Sequence, residues 1–70
     1  MTIIRLTMEN GGVVYVNVAQ ITHFFRTEGE TFTNVYFVSD SDNDTGIEVT
    51  EDPEVILRKI KIKEAQNEQQ

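Results

Sequence analysis

The apolar residues of this chain come in short alternating runs, cut apart by turn signals, as far as a lone proline at position 53. Alternation with period two is the pattern of strands that turn one face to a core. Ile3 to Met8 sets Ile4, Leu6 and Met8 on one face. Val13 to Val18 sets Val14, Val16 and Val18 on one face, with Val13, Tyr15 and Asn17 on the other. Ile21 to Thr27 opposes Ile21, His23 and Phe25 to Thr22, Phe24 and Arg26. Thr31 to Val38 opposes Thr33, Val35 and Phe37 to Phe32, Asn34, Tyr36 and Val38, and Ile47 to Val49 is a short fifth run. Asn10-Gly11-Gly12, Glu28-Gly29-Glu30 and the polar stretch from Ser39 to Gly46 supply the turns, since glycine takes positive φ freely and asparagine tolerates it.

After Asp52 the pattern changes. Asp52 and Pro53 form a helix start, a cap followed by a proline whose missing N–H is no loss in the first turn. Pro53, Ile56, Leu57 and Ile60 then follow helical spacing as one apolar stripe. The run Lys59-Ile60-Lys61-Ile62-Lys63 also alternates, but no turn separates it from the helix start, so a helix from Pro53 to about Ala65 is predicted. The cations lie toward its C-terminal end, where the helix dipole favours them. The predicted fold is therefore α+β. It is an antiparallel four- or five-stranded meander with one C-terminal helix, a single domain over residues 1–65 and a frayed polar tail over 66–70.

The chain has 70 residues and no cysteine. That excludes a disulfide framework, a zinc–thiolate centre and a cysteine nucleophile. It also leaves a small domain short of staples, so packing, a metal or a partner chain must help. Apolar side chains fall on both faces of the predicted sheet, and one short helix covers only one. Ile3, Val13, Tyr15, Phe24, Phe32 and Tyr36 are left with little cover. Either the sheet curls into a small barrel, or the second face is buried against another chain.

Charge is divided along the sequence. The formal net charge is −6. Residues 1–54 carry two arginines against ten acids, a net of −8; residues 55–63 carry four cations; Glu64 and Glu68 complete the tail. The acidic body argues against direct nucleic-acid binding, because phosphate contacts need a cationic face. Its six aromatics, Tyr15, Phe24, Phe25, Phe32, Tyr36 and Phe37, therefore read as packing and interface residues and not as a base-stacking platform. No apolar run approaches the roughly 20 residues of a membrane span, and no signal peptide is visible at the N-terminus. A cytoplasmic protein is expected.

Three sets of residues invite a functional reading. The loop Asp40, Asp42, Asp44 with Glu51 matches an EF-hand calcium loop at the first, third, fifth and twelfth positions. Thr45, however, stands where that loop needs glycine, and the preceding flank reads as strand. The bland alternative is a solvated turn. The second set is the uncovered face, Tyr15, Phe24 and Tyr36, with the basic helix residues Arg58, Lys59 and Lys61, as a surface for a protein partner or for self-association. The third is the acidic set Glu28, Glu30, Asp40, Asp42 and Asp44, as an inhibitor that mimics nucleic acid. His23 has no serine, cysteine or second histidine at a catalytic spacing, and Gly11-Gly12 leads into a strand rather than a phosphate-binding helix. No enzyme and no cofactor are expected.

The order of elements carries a resemblance. Ile4-Arg5-Leu6-Thr7, Asn10-Gly11, Val14-Tyr15-Val16-Asn17, Ile21, Val49-Thr50-Glu51 and Glu54-Val55-Ile56 through Lys59-Ile60 together resemble the FlbD-like family of small bacterial proteins linked with flagella and swarming motility. The resemblance spans about residues 3–60. This chain departs from the family in its longer Ser39–Gly46 loop and its greater acidity. A phage-encoded relative fits the same pattern. The resemblance implies a small accessory protein and carries no catalytic residue. The expected function is a non-enzymatic protein-interaction module, a homo-oligomer or an accessory subunit.

Overall fold

A computed structural model describes residues 1–38 and 45–68. Five strands and one helix follow each other: β1 (Ile3–Thr7), β2 (Val13–Asn17), β3 (Ile21–Phe25), β4 (Thr33–Phe37), β5 (Thr45–Val49) and α1 (Pro53–Glu68). All strand pairs are antiparallel. The α+β class and the C-terminal helix are as the sequence predicts.

The meander is divided. β1 and β2 form a two-stranded sheet, and β3, β4 and β5 form a three-stranded one. The break falls at a short 3-10 turn, Val18–Gln20, which the Asn17 side chain starts by accepting the Ala19 N–H at 3.0 Å. The last strand then returns to the first. Met8 and Val49 form an isolated antiparallel bridge, and Glu9 N–H donates to the Glu48 carbonyl at 3.2 Å. Two small sheets thus meet along β1 and β5 without closing a barrel.

The β1–β2 turn is built as its residues require. Met8 N–H donates to the Gly12 carbonyl at 2.7 Å, and the Asn10 side chain accepts the Gly12 N–H at 2.8 Å. Gly11 sits at φ +91°, a conformation that side-chain-bearing residues rarely adopt. In β3 a bulge at Thr22 shifts the register: Ile21 pairs with Phe37, but His23 pairs with Tyr36. An extra residue on one strand reverses the facing of what precedes it. Ile21 and Phe24 therefore share the inner face, while His23 and Phe25 point outward.

The core is Ile4, Leu6, Val16, Val35, Val49, Ile56 and Ile60, with Val14, Val18, Ile21, Phe24, Phe37 and Ile47 packed on it. The helix contributes Ile56 and Ile60; Leu57, predicted on the same stripe, remains 38% exposed. The helix also continues to Glu68, so the cations sit at its middle and the last turn holds none.

One connector holds the layers together. Thr7 N–H donates to both Glu51 carboxylate oxygens, at 2.9 and 3.0 Å. Thr50 N–H donates to the Thr7 carbonyl at 2.9 Å. Buried Thr33 donates its hydroxyl to the Glu51 carbonyl at 2.5 Å. Arg26 ion-pairs with Asp52 and donates to the Thr50 carbonyl at 3.1 Å. Asp52 accepts the Ile56 N–H on its carbonyl at 3.0 Å, as a helix-starting residue should, while its carboxylate serves Arg26. Removing a partner from a half-buried N–H costs about 1–3 kcal/mol. Glu51→Ala is expected to lower unfolding stability by that amount in urea titrations run with a chelator present. Glu51→Gln, which keeps one acceptor oxygen, is expected to lose less. Equal stability of all three chains would show that this contact contributes nothing.

Candidate functional site

The two sheets turn their second faces outward, and both carry apolar side chains. On the β1–β2 sheet Ile3, Val13 and Tyr15 are exposed, Tyr15 to 69%. Their exposure follows from alternation, because Ile4, Leu6, Val14 and Val16 occupy the inner positions of the same strands. On the β3–β4 sheet three rings lie nearly parallel. His23 and Tyr36 have ring centroids 4.8 Å apart, Phe25 and Tyr36 5.8 Å, and His23 and Phe25 6.1 Å. Thr22 orders this group, its hydroxyl lying 2.9 Å from His23 Nδ1 and donating to the Tyr36 carbonyl at 3.3 Å.

The bulge changes which residues form this surface. Tyr15 and Tyr36 lie on outer faces as expected. Phe24 does not: it is half-buried against the core, and His23 and Phe25 take the outer positions. Simple alternation through β3 hides this, since no residue in Ile21-Thr22-His23 marks a bulge. Phe32 is half-buried and Phe37 packs on the core.

Beside Tyr36 the outer face becomes acidic. Met8, Glu9, Asn34, Tyr36, Gly46, Ile47 and Glu48 line a shallow cavity of about 480 Å³. Gly46 lies across from Tyr36. A Cβ on Gly46 would stand 2.9 Å from the Tyr36 ring and 3.0 Å from the Val35 carbonyl, so the ring's position depends on that glycine. Glu9 holds the Glu48 carboxyl above the usual carboxylate range, first by a side-chain hydrogen bond and then by repulsion between the two charges, with slight desolvation adding to it.

The basic cluster splits between two flanks of α1. Lys59 is half-buried and donates its Nζ to the Arg5 carbonyl at 2.9 Å. With Ile4, Arg5, Ile62 and Lys63 it lines an apolar groove of about 180 Å³ against β1. Arg58 and Lys61 are exposed and line a second groove with Glu54, Leu57 and Ile62. Lys59 on one flank and Arg58 with Lys61 on the other are therefore separate clusters.

Asp40, Asp42 and Asp44 lie outside the described residues. Of the calcium-loop set, Glu51 is described, and both its carboxylate oxygens are engaged by Thr7 N–H. Among the described residues, no three His, Cys, Asp or Glu side chains gather as a metal site, and no helix is long and apolar enough to cross a membrane. Of the acidic-mimic set, Glu28 and Glu30 are exposed around a turn in which Glu30 N–H donates to the Thr27 carbonyl at 2.9 Å. Comparison with family models, curated proteins and solved structures gives no match.

The acidic pair gives a pH-dependent prediction. A carboxyl whose folded pKa is raised adds stability at acid pH, and that stability is lost as pH rises through the raised value. Glu48→Gln keeps a hydrogen-bond donor toward Glu9 and removes the repulsion. Its melting temperature is expected to exceed the parent's at pH 7, and the gap is expected to shrink on acidification toward pH 4. A gap that grows on acidification would reverse the assignment.

Proposed function

We propose that this chain is a non-enzymatic protein-interaction module, acting as a homo-oligomer or as an accessory subunit. The observation that carries the proposal is the pair of uncovered outer faces. Ile3, Val13 and Tyr15 occupy one, and the His23–Phe25–Tyr36 stack occupies the other. A contiguous exposed surface such as the ring stack marks a place that a partner covers on a small domain. Aromatic side chains are favoured in that role, because they bury a large area for few rotatable bonds.

His23 also fits a contact better than catalysis. Its ring stacks on Tyr36 and its Nδ1 is held by Thr22. Neither arrangement supplies the nucleophile and orienting carboxylate that a histidine base needs. Membership of the FlbD-like family belongs to the proposal and rests on the sequence pattern alone, as does a bacterial or phage setting.

Sedimentation from micromolar to millimolar concentration tests this, with an apolar-surface dye measured alongside. The expected result is a mass above the 8.0 kDa of one chain, lowered by Tyr15→Ser or Phe25→Ser; a monomer that binds the dye through these residues supports the accessory-subunit form. A stable monomer that binds no dye would overturn the proposal.

A further inference from the structure

We infer that the open section of the β1 edge, beside the basic flank of α1, accepts an extended peptide segment bearing carboxylates and adds it as a strand. The inference rests on the interaction-module proposal, but it concerns the backbone edge of β1 and not the outer side-chain faces, and it names the chemistry of the partner.

The hydrogen-bond pattern of β1 defines the site. Val18 N–H donates to the Thr2 carbonyl, and Met8 N–H to the Gly12 carbonyl. In an antiparallel ladder the paired groups alternate, so Thr2, Ile4, Leu6 and Met8 turn their backbone groups to β2. Ile3, Arg5 and Thr7 turn theirs away. Thr7 is fully engaged, its N–H by Glu51 and its carbonyl by Thr50. The Arg5 carbonyl is taken by Lys59. The Ile3 N–H, the Ile3 carbonyl and the Arg5 N–H have no partner among the described residues. These groups stand at strand spacing along one edge, which is what an added strand pairs with.

The surroundings specify the occupant. The groove along this edge is walled by Ile4 and Ile62, and Ile62 is 51% exposed. Residues 61–66 of the helix are all exposed. A helical stretch gains most of its stability from packing, so an occupant that covers Ile62 supports it. Arg5, Lys59 and Lys63 surround the groove, although the chain as a whole is acidic. Charge complementarity therefore selects carboxylates. The same cations disfavour a second copy meeting edge to edge, because that places Arg5 and Lys63 of both copies together.

Fluorescence anisotropy with the full chain tests the inference. The probe is a labelled hexapeptide of alternating aspartate and valine at low ionic strength. Saturable binding is expected, weaker by about tenfold or more for a lysine–valine peptide and for the Ile62→Glu and Lys63→Glu variants. Both variant side chains are exposed, and unchanged circular dichroism checks that the variants fold. Peptides N-methylated at alternate amides separate strand addition from simple charge attraction: one methylation phase is expected to abolish binding, the other to preserve it. Amide resonances of Ile3 and Arg5 are expected to shift. Equal binding by both methylated peptides, no binding, or an oligomer dissolved by Ile62→Glu would overturn the inference. Tyr15→Ser and Phe25→Ser are expected to bind the peptide normally, so failure here leaves the outer-face proposal to its own test.

Discussion

The fold depends on how the connector Thr50-Glu51-Asp52 finds partners for its own polar groups and for those of β1. Its carboxylate at Glu51 receives the Thr7 N–H, its carbonyl receives the Thr33 hydroxyl, and its flanking residues hold Thr7 and Arg26. Each bond alone is worth only about 1 kcal/mol net, or somewhat more where a charge takes part. Together they join β1, β3, β4 and the start of α1. Among the described residues the helix otherwise enters the core through Ile56 and Ile60, worth about 1.5–3 kcal/mol each when fully buried. The connector thus ties the start of α1 to β1, as Lys59 does further along the helix, and at Thr7 a carboxylate takes the place of a neighbouring strand's carbonyl.

Dividing the strands into two sheets has a direct consequence for the surface. A single curled barrel would hide one face of every strand and leave the other to solvent. Here Ile4, Leu6 and Val16 from one sheet meet Val35 and Val49 from the other across a shared core. Each sheet then keeps an outer face of its own, with different chemistry. One carries scattered aliphatic groups and Tyr15. The other carries a ring stack bordered by Glu9 and Glu48. Gly46 belongs to this second face as much as the rings do, because a side chain there would displace Tyr36.

Strand limits, inner residues and the helix were legible because burial imposes a period on the sequence. Ile4, Leu6, Val14, Val16, Val35 and Ile56 fall where that period puts them. What stayed hidden is what period does not encode. The bulge at Thr22 exchanges Ile21 for Phe24 as facing partners, and a bulge leaves no compositional mark in that stretch. The ladder break at Val18–Gln20 is equally silent, since Val18 continues the alternation of β2. Glu51 makes a contact that spacing does not encode. Its spacing from Asp40 suggests a metal ligand, but its place just before α1 brings its carboxylate against a strand edge far away in sequence. Contacts of that range are set by the packing of whole elements, and spacing within one loop does not report them.

Net charge is a poor guide to such a surface. Fields between exposed charges fade within a Debye length of roughly 10 Å at 0.1 M salt, so a partner responds to the groups beside it and not to the total of −6. Along β1 that local balance changes over the length of one strand. At Thr7 the edge is closed by an anion, Glu51; at Arg5 it is half closed by a cation, Lys59; at Ile3 its backbone groups face outward. The closing groups are the Glu51 and Lys59 side chains and the Thr50 N–H, and beyond Thr7 the end of β5 meets β1 at the Met8–Val49 bridge. They also fix where the open section begins. An edge closed by another strand along its whole length would offer no such boundary, whereas one closed only as far as Thr7 and Lys59 keeps a defined register and a defined sign of charge for whatever pairs with the remainder.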